Sequence, residues 1–312
     1  MIILTGGKTG GHIIPLIALY EYLVSVMYVG CKDSLEERLC KEYKIPFKGL
    51  IIKNKPINLI KNSYNLKMSN VKCIISTGGF VSVPALLYGL RHKIPIYLIE
   101  GNVDMGSTNK MFSLVSKKVF LAYKQNDMKS KYKVTGLPML KLKDSFVNDN
   151  FDILIIGGSL GSKPLCDLVY SLNKDYKIIL IAGRYYKDYN NIKNVKVYEY
   201  FNNLTGLMSK AKLIISRAGA MTTYEIFKIN KPCIIIPSRT TKNNHQYTNA
   251  KYFEKNNLCL YLDEEEAINT INNTVSKLLS SDALMVNMKN KQAKITNLDS
   301  IKLIMEELNE FH

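Results

Sequence analysis

Four residues stand where this chain could move a proton or grip a hydroxyl: His12, Glu225, His245 and Gln246. His12 closes the run Thr5-Gly6-Gly7-Lys8-Thr9-Gly10-Gly11-His12, directly after the apolar Met1-Ile2-Ile3-Leu4. Strand, glycine turn and helix in succession offer backbone amides to a phosphate or sugar, and Thr9, Gly10 and Gly11 lie nearest the histidine. An imidazole titrating near pH 6.5 suits a general base at neutral pH. A packed or capping histidine is the plainer alternative. The spacing predicts a helix from about Ile13, with Pro15 at a tolerated early position. Gly7-Lys8-Thr9 ends like a phosphate-binding P-loop, but Ile2 occupies the position where that motif needs glycine. The pattern GGxxGG is not the dinucleotide fingerprint either, so nicotinamide binding has little support.

The second chemical stretch is Leu213 to Ala250. It reads as strand, small-residue turn (Arg217-Ala218-Gly219-Ala220), helix from about Thr222, strand Cys233 to Ile236, polar loop and helix. The first amides of a helix are unpaired and sit at the positive end of its dipole, so Ala220, Met221 and Thr222 could receive a phosphate. Glu225 is an acceptor-only carboxylate suited to a vicinal diol. His245, Gln246 and Asn249 follow on the polar loop, and Gln246 carries both donor and acceptor atoms for sugar hydroxyls. Taken singly, each of these residues also fits an ordinary αβ crossover with capped helices.

The elements that must position these groups alternate along 312 residues, enough for two domains. Strands are expected at Met1–Leu4, Val71–Ser76, Ile96–Ile99, Val119–Ala122, Ile153–Ile156, Ile178–Ala182 and Val195–Tyr198. Strand and glycine turn recur at Ile153–Ile156 and Gly157-Gly158-Ser159-Leu160-Gly161, which predicts two Rossmann-like halves. Lys141 to Asn150 is polar and reads as the linker, and helices fill the tail after Asp263, the last from about Ser300 to Phe311.

Net charge is +17 and unevenly spread: residues up to 145 hold 22 Lys and Arg against 9 Asp and Glu, the remainder 21 against 17. Anionic membrane, nucleic acid and a polyphosphorylated substrate all suit such a charge. No nucleic-acid module or aromatic-basic cluster is present, which leaves nucleic acid the weakest of the three. No apolar run is long enough to span a membrane, and the chain opens without a charged leader. The stretch Ile51 to Met68 mixes Ile57, Leu59, Ile60, Tyr64 and Leu66 with lysines, as an interfacial helix would, or equally a helix packed on its own domain. Six cysteines form no C-x-x-C pair and read as reduced core residues. No D-x-D occurs, so the usual metal-chelating motif of metal-dependent sugar transferases is missing, and neither metal nor cofactor is expected.

Taken together, S-R-A-G-A-x-T-x-x-E followed by H-Q-x-x-N-A resembles the donor-binding segment of the MurG glycosyltransferase family. The first glycine turn is similar to that family's G-G-T-G-G-H, with Lys8 at a usual glycine. Thr77 to Pro84 resembles G-G-Y-V-S-G-P, with Val83 at the later glycine. Glu100-Gly101-Asn102 resembles E-Q-N, and Val134 to Pro138 resembles V-x-G-N-P, with Leu137 and Leu140 as departures. Leu140 stands where an arginine is usual and Leu160 where a glutamine is common.

The resemblance covers nearly the whole chain and implies an α/β protein of two Rossmann-like doubly wound domains facing a cleft, the GT-B fold. Residues 1–145 would take the acceptor and the membrane, residues 146–297 the UDP-sugar, with a last helix at about 298–312 crossing back. It implies an inverting transfer of N-acetylglucosamine from UDP-N-acetylglucosamine to the 4-hydroxyl of an undecaprenyl-diphosphate-linked muramyl peptide. His12 would be the base, Ser159 a diphosphate contact, Phe201 the residue packed against uracil, and Asn102 a substrate contact. The implied place is the cytoplasmic face of the cell membrane, held peripherally by an anionic surface. A transferase acting on another glycolipid, or a non-catalytic paralogue binding lipid-linked precursor, are the alternatives.

Overall fold

The computed structural model describes residues 1–125, 127–141, 151–158, 161–239 and 244–309. The chain divides into two compact units, one of residues 1–141 with 298–312, the other of residues 142–297. Each is a parallel sheet with helical crossovers. Strands whose residues are buried throughout, such as Ile2–Gly6, Ile96–Glu100 and Ile153–Ile156, are the continuous apolar runs that a sheet covered on both faces requires. Each fully buried Ile or Leu in them contributes roughly 1.5–3 kcal/mol.

In the first unit the order is β1 (Ile2–Gly6), α1 (Gly10–Tyr20), β2 (Val26–Cys31), α2 (Leu35–Glu42), β3 (Phe47–Leu50) and α3 (Pro56–Asn65). Then follow β4 (Cys73–Gly78), α4 (Val83–Arg91), β5 (Ile96–Glu100), α5 (Ser107–Phe112), β6 (Lys118–Leu121) and β7 (Tyr132–Val134). The sheet runs β3-β2-β1-β4-β5-β6-β7, so its order reverses direction at β1 and β4. Ligands of open α/β sheets bind at such a switch, beyond the carboxyl ends of the strands. The β1–β4 register slips between Thr5 and Gly6, bringing Gly6 opposite Gly78.

The second unit has β8 (Ile153–Ile156), α6 (Lys163–Cys166), β9 (Ile178–Ile181), β10 (Val195–Tyr198), α7 (Leu204–Lys210), β11 (Leu213–Ser216) and α8 (Ala220–Lys228). It ends with β12 (Cys233–Ile235), α9 (His245–Lys255), β13 (Leu260–Tyr261), α10 (Glu264–Leu279) and α11 (Asp282–Thr296). Sheet order is β10-β9-β8-β11-β12-β13, with the same reversal, here at β8 and β11. The final helix, α12 (Ser300–Glu307), belongs to the first unit, where Glu307 pairs with Lys133 at 2.9 Å and Lys118 at 3.2 Å.

Several sequence expectations need correction. The first helix starts at Gly10, three residues before Ile13, because Thr9 already accepts the His12 amide at 3.1 Å. Pro15 is therefore the sixth helical residue, not an early one, and the Gly11 carbonyl lacks the amide it would otherwise accept. The strand expected from Val71 begins at Cys73 and runs to Gly78. The helix expected from Thr222 begins at Ala220. Strands β2, β3, β7 and β13 have no counterpart in the sequence reading; all but β2 are four residues or fewer. All but the first residue of the Lys141–Asn150 linker lies outside the described residues, as do Ser159 and Leu160.

Candidate active site

In the first unit, β1 delivers the glycine turn and α1 presents His12 in its first helical turn. The Nδ1 of His12 lies 2.9 Å from the Thr77 carbonyl at the end of β4. A carbonyl only accepts, so Nδ1 carries the hydrogen and Nε2 is left as the basic nitrogen. The Thr77 hydroxyl donates to the His12 carbonyl at 2.6 Å, so two bonds hold the residue to β4. Glycines make this approach possible. A Cβ on Gly6 would lie 2.0 Å from Thr77 Oγ1, and Gly79, at φ 79°, leaves open the space beside Nε2 that a side chain would enter.

Beneath the turn sits Glu36 of α2, 1% exposed. Its carboxylate accepts the Lys8 amide at 3.2 Å and the Cys31 amide at 3.2 Å. Gly7 allows it there, since a Cβ would stand 2.6 Å from Glu36 Oε1. Lys8 has φ 77°, a left-handed conformation that costs a non-glycine residue about 1 kcal/mol.

Asn102 follows β5. Its backbone and side-chain nitrogens donate to Glu100 at 2.9 and 3.0 Å, and the same buried carboxylate takes Gly106 N–H at 2.9 Å and Asn109 Nδ2 at 3.0 Å. Asn109 Nδ2 also donates to Ile99 O at 3.1 Å and, more weakly, to Thr77 O at 3.4 Å. Glu100 therefore organises the 101–106 loop, and Asn102 joins it through its backbone and side-chain nitrogens. Thr77, Glu36 and Asn109 went unnoticed in the sequence as functional residues; their partners are 28 to 65 positions away or held by a neighbouring strand.

In the second unit the corresponding turn joins β11 to α8. Gly219 caps α8 without a side-chain bond, leaving the amides of Ala220, Met221 and Thr222 at the helix start, while Thr223 N–H closes onto Gly219 O at 3.0 Å. Three amides without a backbone partner among the described residues, at the positive end of the helix dipole, could seat an anion. The side chains that hold it are the surprise. Arg217, read from sequence as part of a small-residue turn, is long and buried. Its guanidinium donates to Ser162 Oγ at 2.5 Å and to Ile236 O at 3.0 Å, and pairs with Glu264 at the start of α10. The signal for it was an arginine placed directly after an apolar strand.

Asn249 is also buried, at 1% exposure, and its Nδ2 donates to Ala218 O at 3.1 Å, so it supports the turn from α9. Gln246 Oε1 accepts Ser238 N–H at 2.9 Å, tying the first turn of α9 to the loop after β12. His245 opens that helix, half-buried. Glu225 is half-buried with no donor to its carboxylate among the described residues, and burial pushes its pKa up to about 7. Phe201 follows the edge strand β10, edge-on to Tyr198 at 5.3 Å, two strands removed from β8. Gly158 and Gly161 have φ of 83° and 74°, and a Cβ on Gly161 would meet Ala182 O at 2.4 Å, so β8's turn lies tight against the end of β9. Ser159, within that turn, is outside the described residues.

The structure thus places Thr9, Gly10, Gly11 and His12 at one sheet's switch point and Ala220, Met221, Thr222 and Asn249 at one turn of the other, with Glu225 further along α8 and Gln246 against the loop after β12. Residues 2–121 match the glycosyltransferase family 28 N-terminal domain, and residues 152–307 the glycosyltransferase family 28 C-terminal domain. The UDP-N-acetylglucosamine–N-acetylmuramyl-(pentapeptide) pyrophosphoryl-undecaprenol N-acetylglucosamine transferase of Clostridium botulinum (strain Alaska E43) is 31% identical, across 99% of both chains. The enzyme of the same name from Sulfurihydrogenibium sp. is 30% identical over 99% of this chain and 98% of its own. Among solved structures, Acinetobacter baumannii MurG superposes with a TM-score of 0.81 at 22% identity, covering 99% of each chain. Spinosyn forosaminyltransferase SpnP gives 0.79 at 11% identity, over 99% of this chain and 98% of its own, a likeness of fold.

Proposed function

The chain belongs to glycosyltransferase family 28, and from that membership we propose that it transfers N-acetylglucosamine from UDP-N-acetylglucosamine to a lipid-linked muramyl pentapeptide. The observation that carries this reading is the near end-to-end match to transferases of that name at about 30% identity. The GT-B architecture of two parallel-sheet units accords with it.

In the proposed reaction the acceptor's 4-hydroxyl attacks the anomeric carbon with inversion, and His12 Nε2 takes the hydroxyl proton. Its Nδ1–H bond to Thr77 O fixes the tautomer and supports the imidazolium that forms. As the bond from C1 to the UDP oxygen breaks, charge grows on the diphosphate. The amides of Ala220, Met221 and Thr222 meet that charge in place, without rearrangement. Glu225 takes the ribose diol, Phe201 packs against the uracil, and His245 and Gln246 read the sugar. Asn249 and Arg217 hold the turn that carries the amides. Thr9, Gly10, Gly11 and Asn102 shape the acceptor side, and Ser159 adds a hydroxyl to the diphosphate.

Attachment at the cytoplasmic face of the membrane is part of the same proposal. Ile51, Ile57, Ile60 and Tyr64 are exposed on and before α3, Ile57 at 83%, among Lys53, Lys55, Lys61 and Lys67. Apolar side chains ringed by lysines favour an anionic lipid interface. No helix among the described residues is long and apolar enough to cross a membrane.

The deciding measurement is UDP release with UDP-N-acetylglucosamine and a soluble lipid-linked muramyl-pentapeptide analogue. Acceptor-dependent release that His12→Ala abolishes supports both enzyme and base. Release that survives the substitution removes His12 from the role of base, and no release by the unmodified chain removes the enzyme.

A further inference from the structure

The carboxyl end of β9 carries an arginine, Arg184, at the start of the 3-10 turn Gly183–Tyr189. Given the transferase reading above, on which this inference rests, we propose that Arg184 is a binding residue for the α-phosphate of the donor nucleotide. The contact comes from a strand outside the pair that forms the switch point.

β9 runs parallel to β8 and beside it, so its carboxyl end opens on the same side as the turns at the switch point. Backbone bonds fix where the arginine starts. Gly157 N–H donates to Ile181 O at 2.9 Å and Gly183 N–H to Glu199 O at 3.1 Å, which ties the end of β9 to the β8 turn on one side and to the end of β10 on the other. Gly183, at φ 59°, turns the chain there. Tyr185 closes on the β8 turn, since a Cβ on Gly161 would stand 3.0 Å from its Cδ2. Arg184 lies on that ring, its guanidinium carbon 4.9 Å from the centroid, and its Nη2 donates to the Tyr185 hydroxyl at 2.7 Å. The tyrosine thus holds the guanidinium beside the turn that follows β8. Arg184 is exposed, and the arginines that pair with carboxylates among the described residues are Arg217 and Arg239. A planar cation set on an aromatic face, with donors to spare, suits a phosphate oxygen.

Strand spacing decides which part of the nucleotide it meets. The order along this half of the sheet is β11-β8-β9-β10. Neighbouring strands lie about 4.8 Å apart, so the amides after β11 and Phe201 after β10 are roughly 14 Å apart across the strand ends. In the proposed reaction the sugar-bearing phosphate meets those amides and the uracil meets Phe201. The chain of atoms between them passes over the ends of β8 and β9, and its anionic group is the α-phosphate. An arginine rooted on β9 and leaning on the β8 turn meets that group on its way.

The test is equilibrium binding of UDP, UMP and uridine to the full chain, unmodified and with Arg184→Met or Arg184→Lys. Methionine keeps the length of the side chain and removes its charge; lysine keeps the charge and loses the fork. Arg184→Met is expected to weaken UDP and UMP alike, about tenfold or more, the loss typical of a charged hydrogen bond, and to leave uridine unchanged. Arg184→Lys should lose less than Arg184→Met for both nucleotides. Melting temperatures recorded on the same samples should agree, because the side chain is exposed. An equal loss for uridine would make the arginine a nucleoside contact, and a loss for UDP but not UMP would move it to the other phosphate; either overturns the assignment. Unchanged UDP binding in Arg184→Met removes the arginine and leaves the transferase reading standing. If the unmodified chain binds neither UDP nor UMP, the transferase reading falls and the arginine's role falls with it.

Discussion

The turns before α1 and α8 are built from the same parts, strand, glycine, helix, yet are held in opposite ways. In the first unit a backbone group holds a side chain: the Thr77 carbonyl sets the tautomer of His12. In the second, side chains hold a backbone: Arg217 and Asn249 brace the turn that leads into α8. A proton carrier has to be a titratable group, and its orientation is cheaply set by one carbonyl. An anion seat made of amides needs no titratable group, but its turn has to be kept from collapsing onto itself. Damage to the two should therefore look different, one purely kinetic, the other also thermodynamic.

The largest expected effect tests the first half of that contrast. His12→Ala should lower kcat by about 10²–10⁴, the range of general-base contributions, while leaving the melting temperature and donor binding almost unchanged. Arg217→Met tests the other half. It leaves Glu264 without its guanidinium and removes the bonds to Ser162 and Ile236, so a loss of about 3 kcal/mol in unfolding free energy is expected, with a raised donor KM. Unfolding curves and donor titrations read both. If Arg217→Met altered kcat alone, the contrast between the turns would fail.

Glu225 sharpens the comparison through pH. Burial pushes its carboxyl up to about 7, and the ionised form accepts from both hydroxyls of a diol more strongly than the protonated form does. Donor KM should therefore fall as pH rises through about 7, and the Glu225→Gln profile should be flat across that window. At pH 8, Gln in that place should weaken donor binding about tenfold or more. The sign for stability is the reverse: the folded chain keeps a proton that the unfolded chain releases from 4.5 upwards, so the unliganded protein loses stability between 4.5 and about 7. Glu225→Gln should remove that loss, seen as a higher melting temperature at pH 8 and little change at pH 4. The smallest effect belongs to Thr77→Val, which keeps the carbonyl on His12 Nδ1 and deletes the hydroxyl on His12 O. About 1 kcal/mol is at stake, a severalfold drop in kcat with donor KM intact.

Much of this architecture is legible in the sequence because parallel strands buried on both faces write themselves as uninterrupted apolar runs. Ile153–Ile156 is read with its observed ends for that reason, and Val195–Tyr198 also has its expected ends although it is a half-exposed edge strand carrying Lys196. Phe47–Leu50 and Tyr132–Val134 are missed because edge strands are short and half-exposed, with lysines at Lys48 and Lys133. The start of the first helix is misplaced because Gly10 and Gly11 read as turn residues, although both are helical and the space beside Gly10 is open. At the turns before α1 and α8, residue types point to the groups proposed to meet a ligand. They say nothing of the supports: Glu36 under Lys8, Thr77 behind His12, Arg217 across three segments. Those pairings exist only once crossovers bring distant strands side by side.

One feature of the chain trace has a bearing on how the protein can be taken apart. The helix Ser300–Glu307 is fastened by Lys133 and Lys118 to the unit that also contains the amino terminus. Topologically, the second unit is thus an insert within the first, spliced in at two junctions, near residues 141 and 297. A polypeptide stopped at Asn297 would keep every strand of both sheets and yet be an incomplete first unit, missing the partner of Lys133. Excision of the insert, with Lys141 rejoined to Leu298, is by the same logic the cut that leaves the first unit whole.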